Sequence, residues 1–380
     1  MKNKVLIVTT TLYMVRQFLQ NDIKILRDKG YDVEIATNTK NTGMIDAGVL
    51  QSFIDKLEDD NVNVHQIEFS RSPLNVFEHK KSYDSIVSLL EENNYKFIHV
   101  HTPIAGAISR IAARKKNVKV VYTAHGFHFY KGAPLLNWVL FYPVEKYCSR
   151  FTDTIITINK EDYMLASNKM KSRKVEYIPG IGMDLFEFKP LDADSIKKKR
   201  EELSMKDGMI SMLSVGELNK NKNHRIVIEA MAKMDNKNIE YYIAGKGDEK
   251  DSLIELATKL GVSDRLHFLG FRTDIRQLCQ VFDLFVFPSY REGLSVSLME
   301  AMASGLPCVV GNIRGNCDLI DEKGGALFNP ADTNDCKCAI EKVLNSDISS
   351  MKEYNLNKIK SFDSSIVKSR MAEIYSCVEQ

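Results

Sequence analysis

Short apolar runs rich in β-branched residues alternate along the chain with longer segments whose apolar positions recur every three or four residues. In the first half, Val5–Thr9, Asp32–Ala36, Val64–Phe69, Phe97–Val100, Lys119–Thr123 and Thr154–Ile158 read as strands, and Arg16–Lys29 and Tyr83–Asn93 have helical spacing. The second half repeats the rhythm with Ile210–Val215, Tyr241–Ala244, Leu266–Leu269, Leu284–Phe287, Cys308–Val310 and Ala326–Phe328. Strands that are apolar throughout, rather than at alternate positions, are buried on both faces. The alternation therefore predicts parallel sheets covered by helices on either side. Between the halves, YIPGIGMDLFEFKPLDADS brings Pro179, Gly180 and Gly182 together and predicts a boundary near 180–205. The expected architecture is α/β: two Rossmann-like, doubly wound domains with a cleft between them. Ligands in such sheets sit beyond the carboxyl ends of the strands. The expected divisions are a first domain over 1–182, a linker over 183–206, a second domain over 207–362 and a C-terminal helix over 363–380.

Composition narrows the class. The 380 residues exceed what one core usually organises, and 44% hydrophobic with 27% charged content is ordinary for a globular protein. The start, MKNKVLIVTTTLYMV, is basic and then apolar, but it lacks a small-residue cleavage pattern and reads as a first strand. No apolar run reaches the roughly 18 residues of a membrane span. The seven cysteines are odd in number and scattered, and the closest pair, Cys336 and Cys338, has no metal-site spacing. A reduced, cytoplasmic compartment is expected. The net charge of +2 does not point to nucleic acid. It is unevenly spread: residues 1–180 hold 25 Lys/Arg against 19 Asp/Glu, and the remainder 27 against 31. A basic first half suits a phosphate-bearing partner or an anionic membrane surface.

The stretch PSYREGLSVSLMEAMASG places Glu292 and Glu300 around a turn that opens a helix. Gly293 allows close backbone approach, and Ser295 is a plausible N-cap, leaving the amides from Leu294 to Ser297 at a positive dipole end. That arrangement suits a diphosphate, and the flanking carboxylates suit sugar hydroxyls. Three more loops follow strands at the same expected edge. SVGELNKNKNH offers Asn219 and the cations Lys220 and Lys222; AGKGDEKDSL offers Gly245 and Gly247; FLGFRTD offers Phe271 and Arg272 for a base. Together they predict a nucleotide-sugar site, against the blander reading of two solvated acids at a helix start.

These segments, with FLQNDIKILRDKGYDVEIATN, FSRSPLN, HVHTPIAGAISRIAAR and YTAHGFHFYKGAPLLNW, resemble the retaining glycosyltransferases of family 4, of GT-B fold. The likeness runs from about Lys4 to about Tyr375 and is to the branch that builds capsular polysaccharide, exopolysaccharide or lipid-linked oligosaccharide. Glu292 and Glu300 match its E-x7-E motif. The resemblance implies that Glu300 binds ribose, Glu292 the transferred sugar, Lys222 the leaving diphosphate, and Phe271 and Arg272 the base. Backbone around Gly293, Leu294 and Ser295 would hold hydroxyls and phosphate, and His125 would face the donor sugar. The C-terminal helix would cross back to the first domain. No cofactor and no metal are implied; a UDP-sugar is the donor substrate, and an acetamido hexose is the sugar expected from the branch. Retention would proceed by same-face attack, the departing phosphate taking the acceptor proton.

Two departures stand out. Glu217 occupies the position where the family usually has arginine, so Lys220, Lys246 or Arg291 is expected to supply the missing charge. Thr9-Thr10-Thr11 replaces a glycine-rich loop on the acceptor side. The segment 126–150 is aromatic and basic, with Lys131 and Trp138 preceded by Arg114, Lys115 and Lys116; with Arg71 these suit a lipid-linked acceptor and peripheral contact with the inner face of the cell membrane. The alternative is a core helix packed on the first sheet. Two other functions fit the same fold: a nucleotide-sugar 2-epimerase, which lacks the E-x7-E arrangement, and a non-catalytic partner of another transferase.

Overall fold

The computed structural model describes residues 3–40, 47–70, 72 and 74–379. The chain divides into two compact units, Met1–Gly182 with Ser365–Gln380, and Met183–Ser364. The first unit holds seven parallel strands: β1 (Lys4–Thr11), β2 (Asp32–Asn38), β3 (Asn63–Gln66), β4 (Tyr95–His101), β5 (Lys119–Ala124), β6 (Thr154–Thr157) and β7 (Lys174–Tyr177), in the order β3-β2-β1-β4-β5-β6-β7. The second holds six: β8 (Ile210–Val215), β9 (Ile239–Ala244), β10 (Leu266–Gly270), β11 (Leu284–Phe287), β12 (Cys308–Gly311) and β13 (Gly325–Phe328), ordered β10-β9-β8-β11-β12-β13. Both are doubly wound sheets, as the run pattern predicts. In each, the strand order reverses beside the first strand, between β1 and β4 and between β8 and β11. There the loops part and leave room for ligands.

Burial explains which strands are legible. Val5–Val8, Tyr241–Ala244 and Leu284–Phe287 are almost fully buried because helices cover both faces. β7 is a half-exposed edge strand of sequence KVEY and carries no apolar run. The predicted helix Arg16–Lys29 is two helices, Leu12–Phe18 and Gln20–Asp28, joined at Leu19, which is buried and departs from helical geometry.

Residues 183–206, expected as a linker, lie within the second unit. Met183 exchanges backbone hydrogen bonds with Phe362 and Ser364, and the helix Ala193–Glu202 is tied down by Arg200 to the Val281 carbonyl and by Lys199 to Asp274. Ile196 alone turns an apolar side chain to the core and polar bonds do the rest, so hydrophobic periodicity does not reveal this helix. The C-terminal helix Ser364–Glu379 turns Val367, Met371, Ile374, Tyr375 and Val378 into the first unit, which its helical spacing and the family resemblance imply. The Tyr375 ring stacks on Phe97 at 5.8 Å, and Lys119 donates to the Val378 carbonyl at 2.7 Å.

Candidate functional site

The loops after β8 and β11, the strands flanking the reversal of the second sheet, meet through one ion pair. After β8 the chain passes Gly216 and turns at Asn219, whose Oδ1 accepts from the Lys222 amide at 3.0 Å and whose Nδ2 donates to Glu217 at 2.9 Å. The Lys222 stem lies across Gly216, where a Cβ would come within 3.1 Å of its Cε. Its ammonium stands 4.7 Å from the centre of the Phe287 ring and donates to Glu292 Oε1 at 2.8 Å. The Glu292 loop is held by residues that sequence reading passed over. Asn221 accepts from the Tyr290 amide and donates to the Arg291 carbonyl, and Arg314 Nε donates to the Glu292 carbonyl at 3.3 Å. Gly315 comes so close that a Cβ there would lie 2.0 Å from the Gly293 oxygen. The signal for Arg314 was available: IRG follows β12, another strand ending at the same edge.

Three residues beyond Glu292, Ser295 caps the helix Val296–Ala303, its Oγ accepting from the Leu298 amide at 3.4 Å. The amides of Val296 and Ser297 precede the first intrahelical bond, so this end is electropositive. Gly293 and Leu294 form the approach to it. Glu300 lies in the second turn, mostly buried, with Arg276 Nε 4.0 Å away and no hydrogen bond to its carboxylate among the described residues. Burial pushes this carboxyl above its ordinary range, partly offset by Arg276. Such a group accepts ligand hydroxyls readily, because no protein donor already satisfies it.

The remaining loop residues divide. Phe271 is 71% exposed and follows β10, a few residues before Arg276, which reaches towards Glu300. Arg272 is committed to Asp274 and to Glu202 at 2.8 Å, joining its loop to the helix Ala193–Glu202. Gly245 and Gly247 make a close approach, but to the chain itself: a Cβ would lie 1.8 Å from the Gly216 oxygen or 2.4 Å from that of Leu218. They let the two loops nest. Glu217, Lys220, Lys246 and Arg291 are all exposed.

In the first unit, His125 follows β5 and its Nε2 is 3.1 Å from His101 Nδ1. Beside them, His99 Nε2 lies 2.8 Å from the Thr123 hydroxyl and His99 Nδ1 2.8 Å from Tyr375 Oη, which donates to Asp22 at 3.1 Å. A neutral His99 satisfies every member: Thr123 donates to Nε2, and Nδ1–H donates to Tyr375. The chain of bonds pins the C-terminal helix to β4. His101 Nε2 is buried beside a cavity of about 30 Å³ and has no partner among the described residues. Among the described residues, Asp22, His99 and His101 form the one group with three metal-capable atoms within 4.8 Å of one another. Both nitrogens of His99 are already used, however, which marks a polar network rather than a ligand set.

Burial governs this network's titration. It holds His99 down to about 3, His125 to about 4 and His101 well below its ordinary value, while pushing Asp22 up to about 7. Below pH 6.5 the unfolded chain protonates three histidines that the native unit keeps neutral, so acid destabilises. Asp22 acts oppositely, holding its proton in the native state up to about pH 7. The histidines outnumber it, so the net effect is a loss of stability as the pH falls. The first unit is therefore expected to lose stability steeply between pH 6.5 and 4. Fluorescence of Trp138, the chain's only tryptophan, reports this unit; an unfolding midpoint constant from pH 7 to 5 would contradict the assignment.

The basic and aromatic residues of the first unit are dispersed. Arg114 is exposed and donates to Tyr147 Oη at 2.8 Å; Lys115 and Lys131 are exposed; Lys116 pairs with Glu91. Trp138 turns inward against Phe129 and Tyr142, its Nε1 donating to the Tyr130 carbonyl at 3.3 Å. The outer face of its helix, Leu135–Ser149, instead carries Leu135, Leu136 and Val139, each more than half exposed. The helix thus packs on the core, as one reading expected, yet stays apolar on its outer face as well. Arg71 lies outside the described residues. Among those described, no helix is long and apolar enough to cross a membrane.

Comparison with known proteins agrees with this geometry. Residues 4–159 match the family model "Glycosyl transferase 4-like", and residues 195–360 match "Glycosyl transferases group 1". The chain is 33% identical to EpsD of Bacillus subtilis, whose name places it among glycosyltransferases, over 88% of this chain and 85% of that one. It is 27% identical to the UDP-Gal:alpha-D-GlcNAc-diphosphoundecaprenol alpha-1,3-galactosyltransferase of Escherichia coli, over 91% and 88%. Its fold superposes on Anabaena HepE, solved in complex with UDP, with a TM-score of 0.77 at 19% identity, covering 99% of this chain and 100% of that one. Two doubly wound sheets, the two family-model matches and the 33% identity to a glycosyltransferase over most of both chains make this chain a member of the family 4 glycosyltransferases of GT-B fold.

Proposed function

We propose that the protein is a retaining, metal-independent glycosyltransferase. It moves a sugar of the N-acetylated hexosamine class from a UDP donor to a polyprenyl-diphosphate-linked acceptor during surface polysaccharide assembly. The observation that carries this reading is the meeting of Lys222 and Glu292 from the two loops at the sheet reversal, beside the open end of the Val296–Ala303 helix. A cation and free amides suit a diphosphate; Glu292 and Glu300 suit hydroxyls on either side of it. When donor binds, Lys222 exchanges part of its contact with Glu292 for phosphate oxygens, and Glu292 turns to the sugar. As the glycosidic bond breaks, charge grows on the diphosphate, and Lys222 with the helix amides stabilises it in place. Phe271 offers a stacking face for the base. Buried Arg314, which holds the Glu292 loop, adds positive charge that Glu217 does not provide.

His125 would act on substrate as a neutral hydrogen-bonding group, since burial disfavours its cation. The exposed apolar face of Leu135–Ser149 and the neighbouring cations support peripheral contact with the inner membrane face.

The test is a panel of nucleotide-sugars scored for slow hydrolysis and for thermal stabilisation, with and without EDTA. Stabilisation and hydrolysis by UDP-linked sugars, unchanged by EDTA, is the expected result. Epimer formation from donor alone, or no response to any nucleotide-sugar, would reject the reading.

A further inference from the structure

The first sheet also has a reversal point, and an amphipathic groove opens from it. At its polar end, Thr10 at the end of β1 and Thr102 just after β4 share a hydroxyl–hydroxyl bond of 2.7 Å. Thr102 sits at φ +63°, a conformation that β-branched residues rarely adopt, and its hydroxyl also donates to the His101 carbonyl. Thr10, Thr11 and Thr102 line a cavity of about 290 Å³ that also touches Ile104, His128 and Phe141. Those last three also line a second cavity, of about 380 Å³, between the helices Pro103–Lys116 and Leu135–Ser149. Its walls are mainly apolar, with Ile108, Phe127, Phe129, Leu140 and Val144 among them, and His79 and His128 add polar edges. The Glu145 carboxylate at its side is paired with buried Arg110 at 2.7 Å and presents no unmatched charge. The slot runs out to exposed aliphatic residues, with Leu140 51% and Leu74 85% exposed.

We propose that these two cavities are one groove and that it holds the isoprenoid chain of the acceptor, with the diphosphate-sugar end at the threonines. This rests on the acceptor class proposed above and adds where the lipid lies. An apolar slot that begins among hydroxyls and ends on an exposed aliphatic strip matches an amphiphile with a polar head and a tail longer than the slot. The strip, continued by Leu135, Leu136 and Val139, leads the excess chain towards a bilayer. The E. coli relative, which is named for a diphosphoundecaprenol acceptor, supports that choice of tail.

Two substitutions test the groove without touching donor residues. Ala107→Phe fills the slot from the Pro103–Lys116 helix, and Val144→Asp places a charge at its half-exposed rim, where folding is not at stake. Binding of undecaprenyl diphosphate and of farnesyl diphosphate in detergent is followed by Trp138 fluorescence, and sugar transfer is measured alongside. Each methylene buried contributes roughly fourfold in affinity, so the wild type is expected to favour the longer chain and each variant to lose that preference by about tenfold or more. Equal binding of both chains by the wild type, or unchanged binding in both variants, would overturn the groove. Chain-dependent binding without transfer from any UDP-sugar would uphold the groove and defeat the enzymatic reading instead.

Discussion

Lys222→Ala is expected to lower kcat/KM for the donor by about 10²–10³-fold, equivalent to about 2.7–4 kcal/mol, the usual loss for one preorganised charge-stabilising group. Most of the loss should fall on kcat, because in the proposed mechanism the charge that Lys222 meets develops as the glycosidic bond breaks. Lys222→Arg is not expected to restore it. The stem is confined between Gly216 and the Phe287 ring, and a planar guanidinium cannot take the place of a compact ammonium there. The unfolding midpoint reports the other role of the pair. Glu292 is as buried as Glu300, with 15% of its side chain exposed, so losing the lysine strands a mostly buried carboxylate and should also lower the unfolding midpoint. Steady-state kinetics on the two variants settles the matter: kcat/KM within about twofold of wild type for Lys222→Ala would reduce the lysine to a prop for Glu292.

Glu145→Ala is expected to destabilise the first unit by about 3–5 kcal/mol, the cost of stranding a buried charge. Arg110 is fully buried, lies 4.0 Å above the Tyr122 ring and donates to Glu145 from one nitrogen and to the Gly106 carbonyl from another. Tyr122 donates to the second Glu145 oxygen at 3.1 Å. Removing the carboxylate leaves a guanidinium and a phenol in a dry interior. A double replacement, Arg110→Met with Glu145→Leu, removes both charges and should recover most of the loss. Urea denaturation followed through Trp138, on the same helix as Glu145, measures both. A loss below about 1 kcal/mol in the single variant would mean that the arginine has another counter-charge. The pair also fixes the spacing of the two helices that wall the apolar slot, so the variant should bind long-chain lipid poorly even where it remains folded.

Much of the candidate site was legible because its residues lie in short contiguous stretches. Glu292, Ser295 and Glu300 fall within nine residues, and a helix start follows from Ser295 and the apolar run after it. Lys222 was legible as a cation in a loop after a strand. Arg272 and Trp138 show the limit of that approach. Sequence marks Arg272 as a base-side arginine, but Asp274 and Glu202 hold it; it marks Trp138 as an interfacial ring, yet the ring packs inward while leucines and valines face out. Arg314 and Asn221 were missed because their partners are backbone atoms of the Glu292 loop, 22 residues or more away along the chain. Gly245 and Gly247 were marked correctly as sites of close approach, but what approaches is the neighbouring loop.

The chain's own pattern decided the two parallel sheets, every strand position except that of the edge strand β7, and the C-terminal helix, because burial on both faces imposes continuous apolar runs and a helix on a core imposes its period. Tertiary structure alone decided which loops meet. The Lys222–Glu292 pair, the hydrogen-bonded line from Thr123 through His99 and Tyr375 to Asp22, and the groove from Thr10 to Val144 all join residues distant in sequence. Strand order, which local propensity does not encode, is what brings them within reach.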